Sequence, residues 1–259
     1  MNNKLHIGTM GWSYNFWINN FYPPNTKPEN FLQEYSKHFN TVEVNSSFYR
    51  VPSISTITNW DDQTKSNFLF SIKAPKKITH EKLAEDNSDY LDFFLNNVSI
   101  LGTKLGPILF QFPPSFKSDD FESLKNFISV LPKKYRIAFE IRNKTWFIDR
   151  FYQLLEENKI ALVSGDSPWT TELGKIITDF IYFRWEGIRK EIKGNIGKVE
   201  KERTSDINIW AKKIQNFLNN TEVFGYYSKY YSGHPPSDVK QLIALILKMK
   251  IQWKTNSSK

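Results

Sequence analysis

Seven charged residues stand at the ends of short apolar runs: Glu43 in TVEVNS, Lys73 in FSIKA, Glu140 and Arg142 in AFEIR, Asp166 after LVSG, and Arg184 with Glu186 in YFRWE. Side chains alternate across a β-strand, so counting in twos gathers the residues that share one face. That count places Glu43 with Asn45, Ser71 with Lys73, Glu140 with Arg142, Ser164 with Asp166, and Arg184 with Glu186, beside Gln111. Charges on an enclosed face are costly unless they pair with each other or with a ligand. An ion network and a functional site are therefore the two readings.

As a site, Lys73 has the chemistry of a Schiff-base nucleophile or a phosphate ligand, and otherwise of a salt-bridge partner for Glu43 or Glu140. Glu43 and Glu140 suit proton transfer, assisted by His80, while Lys73, Arg142 and Arg184 suit an anionic substrate. A glycosidase-like pair is an alternative, with Trp12, Trp17, Tyr49, Trp146, Trp169 and Trp185 available to stack on sugars. Metal chemistry is disfavoured: there are four histidines, and cations interleave with the carboxylates. His6 lies at the start of a strand and His38 at the end of a helix, leaving His80 and His234 in loops. The expectation is no metal and no cofactor.

The elements that must carry these residues are eight β-like runs separated by segments of helical periodicity. They are Leu5 to Met10, Thr41 to Ser46, Leu69 to Ala74, Ile108 to Phe112, Arg136 to Ile141, Ala161 to Gly165, Phe180 to Trp185 and Val223 to Ser228. Helices are predicted over Asn30 to Phe39, with Phe31, Leu32, Tyr35 and Phe39 on one face, and over Phe121 to Leu131. A last helix follows Pro235 and Pro236, capped by Ser237 or Asp238. Only Asp166 to Asp179 separates the sixth and seventh runs, so helix six is short or missing. The predicted fold is α/β, a (β/α)8 TIM-type barrel forming one domain over residues 1–259. Ligands in that fold bind at the C-terminal strand ends, where the seven charges lie. Barrel glycosidases generally carry their acids after strands four and seven, whereas strand four here ends in Gln111, which weighs against the sugar reading.

The 259 residues are 40% hydrophobic, enough for one large core. Cysteine is absent, which excludes disulfides, thiolate nucleophiles and Cys-ligated metals in this chain. No apolar signal core follows the N-terminus, and the longest apolar-rich run, Leu242 to Met249, is too short to span a bilayer. A cytoplasmic protein without membrane association is the expectation. Net charge is +8 and the isoelectric point near 9.3, so an anionic small molecule or nucleic acid is the expected partner class, although scattered surface lysines give the same charge. Residues 187–213 hold eight basic and four acidic side chains, half of the net charge. Arg189, Lys190 and Lys193 are predicted to form a phosphate-binding loop over the strand ends, with Gly194 and Gly197 permitting its movement.

The segments GTMGWSY, FYP, HFNTVEVNSSFYRVPS, FSIKAPKKITH, LGPILFQFPPSF, AFEIRNKTW, DFIYFRWEG and GHPP together resemble the YecE-like family, the domain of unknown function numbered seventy-two, across nearly the whole chain. The resemblance implies an α/β barrel and leaves the activity open. This chain departs from the family's pattern at Asn143, where a histidine is usual; at Trp185 and Glu186, where a leucine and a histidine are usual before Gly187; and at Ser228 to Tyr230, where an asparagine–aspartate pair is usual.

Together these readings predict an enzyme, a metal-independent hydrolase or lyase of anionic, phosphate-bearing substrates, with Glu43, Lys73, Glu140 and His80 as catalytic residues. Asn45, Tyr49, Arg50, Gln111, Arg142, Trp146, Asp166, Arg184, Glu186 and His234 are the predicted substrate contacts. The alternative is a non-catalytic nucleic-acid-binding barrel using the same basic and aromatic rim.

Overall fold

The apolar runs form nine strands in a computed structural model, which describes residues 4–81, 83, 88–169, 175–218 and 220–257. In chain order these are β1 (Leu5–Thr9), β2 (Thr41–Val44), β3 (Leu69–Lys73), β4 (Leu105–Gln111), β5 (Ile137–Glu140), β6 (Ile160–Leu162), β7 (Ser164–Asp166), β8 (Phe180–Trp185) and β9 (Glu222–Tyr227). The helices are α1 (Phe31–Ser36), α2 (Ile54–Asp62), α3 (Ser88–Val98), α4 (Phe121–Val130), α5 (Asp149–Glu157), α6 (Thr204–Phe217), α7 (Lys229–Ser232) and α8 (Pro235–Ser257). Each longer helix buries a stripe at three- and four-residue spacing, such as Leu124, Phe127 and Ile128 on α4 or Ile207, Trp210, Ala211 and Ile214 on α6. No described helix is long and apolar enough to cross a membrane.

All ladders are parallel, in two sheets ordered β1-β9-β8-β7 and β2-β3-β4-β5-β6. The single strand predicted over Ala161 to Gly165 is divided at Val163 between the two sheets. Val163 N still donates to Phe139 O on β5 at 2.9 Å, after which β7 pairs with β8. Gly165 makes the change possible. Its φ is +148°, and a Cβ there would sit 1.9 Å from Arg184 O. The hydrogen-bonded ladder therefore does not close into one sheet. Between β1 and β2 the connection is a single bridge, Met10 to Glu43, with Gly11 N donating to Glu43 O at 2.8 Å. The Tyr35 hydroxyl spans the same gap, accepting from Thr9 N at 2.9 Å and donating to Thr41 O at 3.0 Å.

The two sheets nevertheless face a common interior in which Met10, Leu109, Ala138, Val163, Tyr182, Phe224 and Tyr226 pack together. A second, larger core lies between the sheets and the helices. The interior is layered along the strands. At the N-terminal ends His6 stacks on Phe224, and Glu222 accepts from Arg136 at 2.6 Å. In the middle the Tyr226 hydroxyl bonds both Thr41 Oγ1, at 2.8 Å, and Ser71 Oγ, at 2.7 Å, joining the two sheets. Glu43, Lys73, Glu140 and Arg184 occupy the C-terminal ends. Among the described residues between β7 and β8 there is no helix. The predicted start of the last helix needs correction: Pro235 and Pro236 lie inside the first turn of α8, where a missing N–H costs nothing.

Gly165→Ala is expected to destabilise the protein by about 2–4 kcal/mol, because a methyl group meets backbone that cannot retreat without breaking the β7–β8 ladder. Urea unfolding measures it, and a loss below about 0.5 kcal/mol would mean that β7 shifts freely.

Candidate functional site

The last inward-facing residues of β2 to β5 and of β8 are polar (Glu43, Lys73, Gln111, Glu140 and Arg184), and they meet at the C-terminal ends of the strands. Gln111 pairs with Glu140 across β4 and β5, and Glu43 with Ser71 one step before Lys73. At the centre stands Arg184, 3% exposed. Its Nε and Nη2 donate to Glu43 at 3.0 Å each, its Nη1 to Glu140 and Glu186, and its Nη2 also contacts Met10 Sδ at 3.4 Å. A guanidinium has five N–H donors, and this arrangement occupies them. Arg142 adds a second tie, donating from Nε to Glu140 at 2.6 Å and from Nη2 to Glu186 at 2.9 Å.

These bonds change the roles predicted for the carboxylates. Glu43 is fully buried and accepts twice on each oxygen, from Arg184 and Tyr182 (2.8 Å) on Oε2 and from Arg184 and Asn45 (2.8 Å) on Oε1. No lone pair is left to take a proton from a substrate. Burial alone would raise the Glu140 pKa, but Arg184, Arg142 and Lys73 outweigh it and hold the carboxyl at about 2. An acid/base pair, glycosidase-like or otherwise, is not what Glu43 and Glu140 form. Arg184, expected to hold substrate, is committed to the protein instead.

Above this cluster opens a cavity of about 600 Å3. Its lining includes Met10, Tyr14, Asn45, Phe48, Tyr49, Lys73, His80, Gln111, Arg142, Arg184, Glu186, Arg189, Ser228, Lys229 and Tyr230. Lys73, 8% exposed, donates to Gln111 Oε1 at 2.6 Å and lies 4.1 Å from the centre of the Phe48 ring. Burial, reinforced by the charge of Arg184, lowers its pKa to about 8. His80 sits on the π-helical turn Lys77–Glu81, bonds Thr79 Oγ1 through Nδ1 at 2.8 Å, and has its pKa lowered by burial and by Lys73 and Arg142. It is a neutral base at pH 7. Lys73, Arg189 and Lys229 have no carboxylate within 4.0 Å among the described residues. Glu186 is the one carboxylate in the lining.

Several predicted contacts lie elsewhere. Trp146 is wholly buried, stacks on Phe116 at 4.7 Å and donates from Nε1 to Phe116 O at 3.0 Å, so it is core. His234 is buried, its Nδ1 bonded to Ser237 Oγ at 2.7 Å and its ring edge-on to Trp17. Arg50 is exposed and does not line the cavity. Asp166 is in register with Trp185 and Tyr227, whose side chains pack toward α6, and the charges that act on it are Arg203, Asp206 and Lys201. It faces outward, one residue out of the predicted phase.

In the predicted phosphate loop, Arg189 lines the cavity over the Tyr230 ring at 5.0 Å, whereas Lys190 and Lys193 are exposed and outside the lining. The loop is docked rather than hinged. Glu200 accepts from Lys193 N and Gly194 N at 2.9 and 2.7 Å, and Gly197 (φ +67°) lies so close to Phe16 O that a Cβ would meet it at 1.9 Å. Sequence reasoning passed over Tyr182, Phe48, Tyr14 and Lys229; Tyr182 alone was signalled, two residues before Arg184 in the inward phase. Among the described residues no group of three or more His, Asp or Glu side chains is placed to hold a metal ion.

A family model described as "Protein of unknown function DUF72" matches residues 6–258. The chain is 31% identical to the UPF0759 protein YunF of Bacillus subtilis over 273 aligned positions, covering 93% of this chain and 94% of that protein. It is 29% identical to the UPF0759 protein YecE of Escherichia coli over 143 residues, and this match spans only 50% of that relative's length. Among solved structures, a DUF72 family protein of Thermotoga maritima superposes with a TM-score of 0.77 at 22% identity, covering 95% of this chain and 99% of the other. One from Enterococcus faecalis gives 0.76 at 18% identity, covering 93% and 95%. At these identities the solved structures show a shared fold.

Arg184→Met is expected to cost about 3–5 kcal/mol at pH 7, since it leaves Glu43 buried without a counter-ion and Glu140 with Arg142 alone. Glu140 has a folded pKa of about 2, below the unfolded value of about 4.3. Its ionised form therefore stabilises the native protein above about pH 4.3, and that contribution disappears as pH falls toward 2. The difference between wild type and variant in denaturant unfolding should shrink over this window. An equal difference at pH 7 and pH 3 would contradict the assignment.

Proposed function

The chain belongs to the DUF72 family, and from that premise we propose that it is an enzyme acting on an anionic small molecule bound in the cavity at the strand ends. The observation that carries this reading is that Lys73, Arg189 and Lys229 face one cavity with no carboxylate partner among the described residues, while Glu43 and Glu140 are consumed beneath it. A polar cavity with surplus positive charge and few acceptors is matched by a carboxylate, phosphate or sulfate group. We read the two sheets as the halves of an eight-stranded barrel, in one domain over residues 1–259, with β6 and β7 as one strand broken at Val163. The C-terminal strand ends then form the mouth.

The chemistry falls to groups that can still exchange protons or electrons at the surface. Lys73, His80 and the free oxygen of Glu186 are those groups; Arg142 orients Glu186, and Gln111 positions Lys73. No step in this reading requires a metal. Nucleic acid is the weaker reading, because the exposed Lys190 and Lys193 lie outside the cavity and the lining is a pocket rather than a groove.

Isothermal titration of sulfate and inorganic phosphate into the protein tests the reading. Binding is expected to weaken about tenfold or more in the Arg189→Gln, Lys229→Gln double variant, as two charge-assisted contacts are lost, and to stay unchanged in Lys190→Gln, Lys193→Gln. Equal weakening in both variants would place the anion on the outer loop, and no binding at all would remove the anionic-substrate reading.

A further inference from the structure

We propose that Lys73 is a Schiff-base nucleophile, whose ε-amine condenses with the carbonyl of an anionic oxo compound anchored by Arg189 and Lys229. The inference rests on the anionic-substrate reading above and names the functional group that substrate must also carry.

Position is the first argument. Lys73 ends β3 at the cavity wall, its stem buried and its Nζ flanked by Gln111 and the Phe48 ring. Among the described residues its one hydrogen-bond acceptor is a neutral amide oxygen. A lysine whose task were ion pairing would sit against a carboxylate, and three carboxylates lie nearby. Glu43, Glu140 and Glu186 are instead turned onto Arg184 and Arg142. The arrangement turns those carboxylates away from direct pairing with the buried amine of the cavity and leaves it close to the charge of Arg184. Such surroundings disfavour the ammonium form, in keeping with the lowered Lys73 pKa of about 8. At pH 7 that leaves on the order of a hundredfold more free amine than an ordinary lysine carries.

The chemistry balances without any redox partner. The amine lone pair forms the C–N bond while the carbonyl π pair moves to oxygen, which takes up a proton. The nitrogen releases a proton to a neutral base lining the same cavity, for which His80 is available. A second proton then converts the hydroxyl to departing water, and the nitrogen lone pair completes the iminium. One water leaves, nothing is oxidised, and the iminium draws electrons from the adjacent carbon of the substrate. Arg189 and Lys229, which line the same cavity and both lie over the Tyr230 ring, supply the charge that selects a carboxylate- or phosphate-bearing carbonyl over a neutral one.

The test is reductive trapping with glyoxylate, the smallest anionic aldehyde, and cyanoborohydride, read by intact mass and peptide mapping of the whole protein. Lys73 is expected to be alkylated on the order of tenfold faster than the exposed Lys133, the gain in free amine being partly offset by its lower nucleophilicity. Sulfate should protect Lys73 but not Lys133, and the Arg189→Gln, Lys229→Gln variant should slow Lys73 alone. Lys73→Arg, which keeps the charge, should remove the fast label while retaining the unfolding midpoint. Labelling of Lys73 no faster than Lys133 overturns the inference; if sulfate still binds by calorimetry, the anion site survives without it, and if sulfate does not bind, both readings fall.

Discussion

A single guanidinium, Arg184, is surrounded by the side chains of Glu43, Glu140, Glu186 and Met10, drawn from four other points along the chain and from both sheets. Bringing one carboxylate into such an interior is costly, and bringing three is prohibitive without a cation at their centre. The strands can therefore present polar ends to a common interior only because Arg184 is there to collect them. Tyr182 and Asn45 complete the coordination of Glu43, so the charges are paired and their remaining hydrogen-bonding capacity largely used. What stays uncommitted at this level, the amine of Lys73 and the outer edge of Arg142, is then defined by subtraction.

Beneath the ions lies a layer of hydroxyls. Tyr226 ties Thr41 and Ser71 from the other sheet, and Tyr35 bridges β1 to β2 where the backbone ladder is absent. Side chains here perform the sheet-joining task that main-chain hydrogen bonds perform elsewhere. They also place polar groups between part of the apolar cluster around Leu109 and Val163 and the ionic layer. On the outer side the aromatic stacks of Trp185 with Tyr227 and of Phe116 with Trp146 fill the space to the helices.

Alternation along strands made much of this visible in the sequence. The inward phase of Glu43, Lys73, Gln111, Glu140 and Arg184 follows from counting in twos within largely apolar runs, and the structure gathers these five at the C-terminal strand ends. The count failed where the strand itself breaks. Nothing in LVSGD announces that Val163 stays inward and that Gly165 takes a conformation closed to other residues, and so Asp166 was assigned to the wrong face. Trp146 and His234 failed for another reason: a polar-capable ring just past a strand end reads as rim, yet short turns fold both rings under the surface. Alternation also gives placement without partnership. It could not distinguish a carboxylate free to accept a proton from Glu43, whose four acceptor sites are filled by Arg184, Tyr182 and Asn45.

The docked loop after β8 bears on how the cavity exchanges its contents. Gly197 packs backbone to backbone on Phe16, Gly194 and Lys193 are held by Glu200, and Glu200 N in turn donates to Ser232 O. Three distant stretches of chain thus form one rigid lip. On this side a ligand of the proposed kind would meet no swinging lid, with the microsecond-to-millisecond delay such motions impose, but only the long side chains of Arg189 and Lys229, whose rotation takes nanoseconds. A ligand arriving across this lip meets mobile cations on a fixed frame, and its residence time is set by the contacts it makes rather than by a door closing behind it.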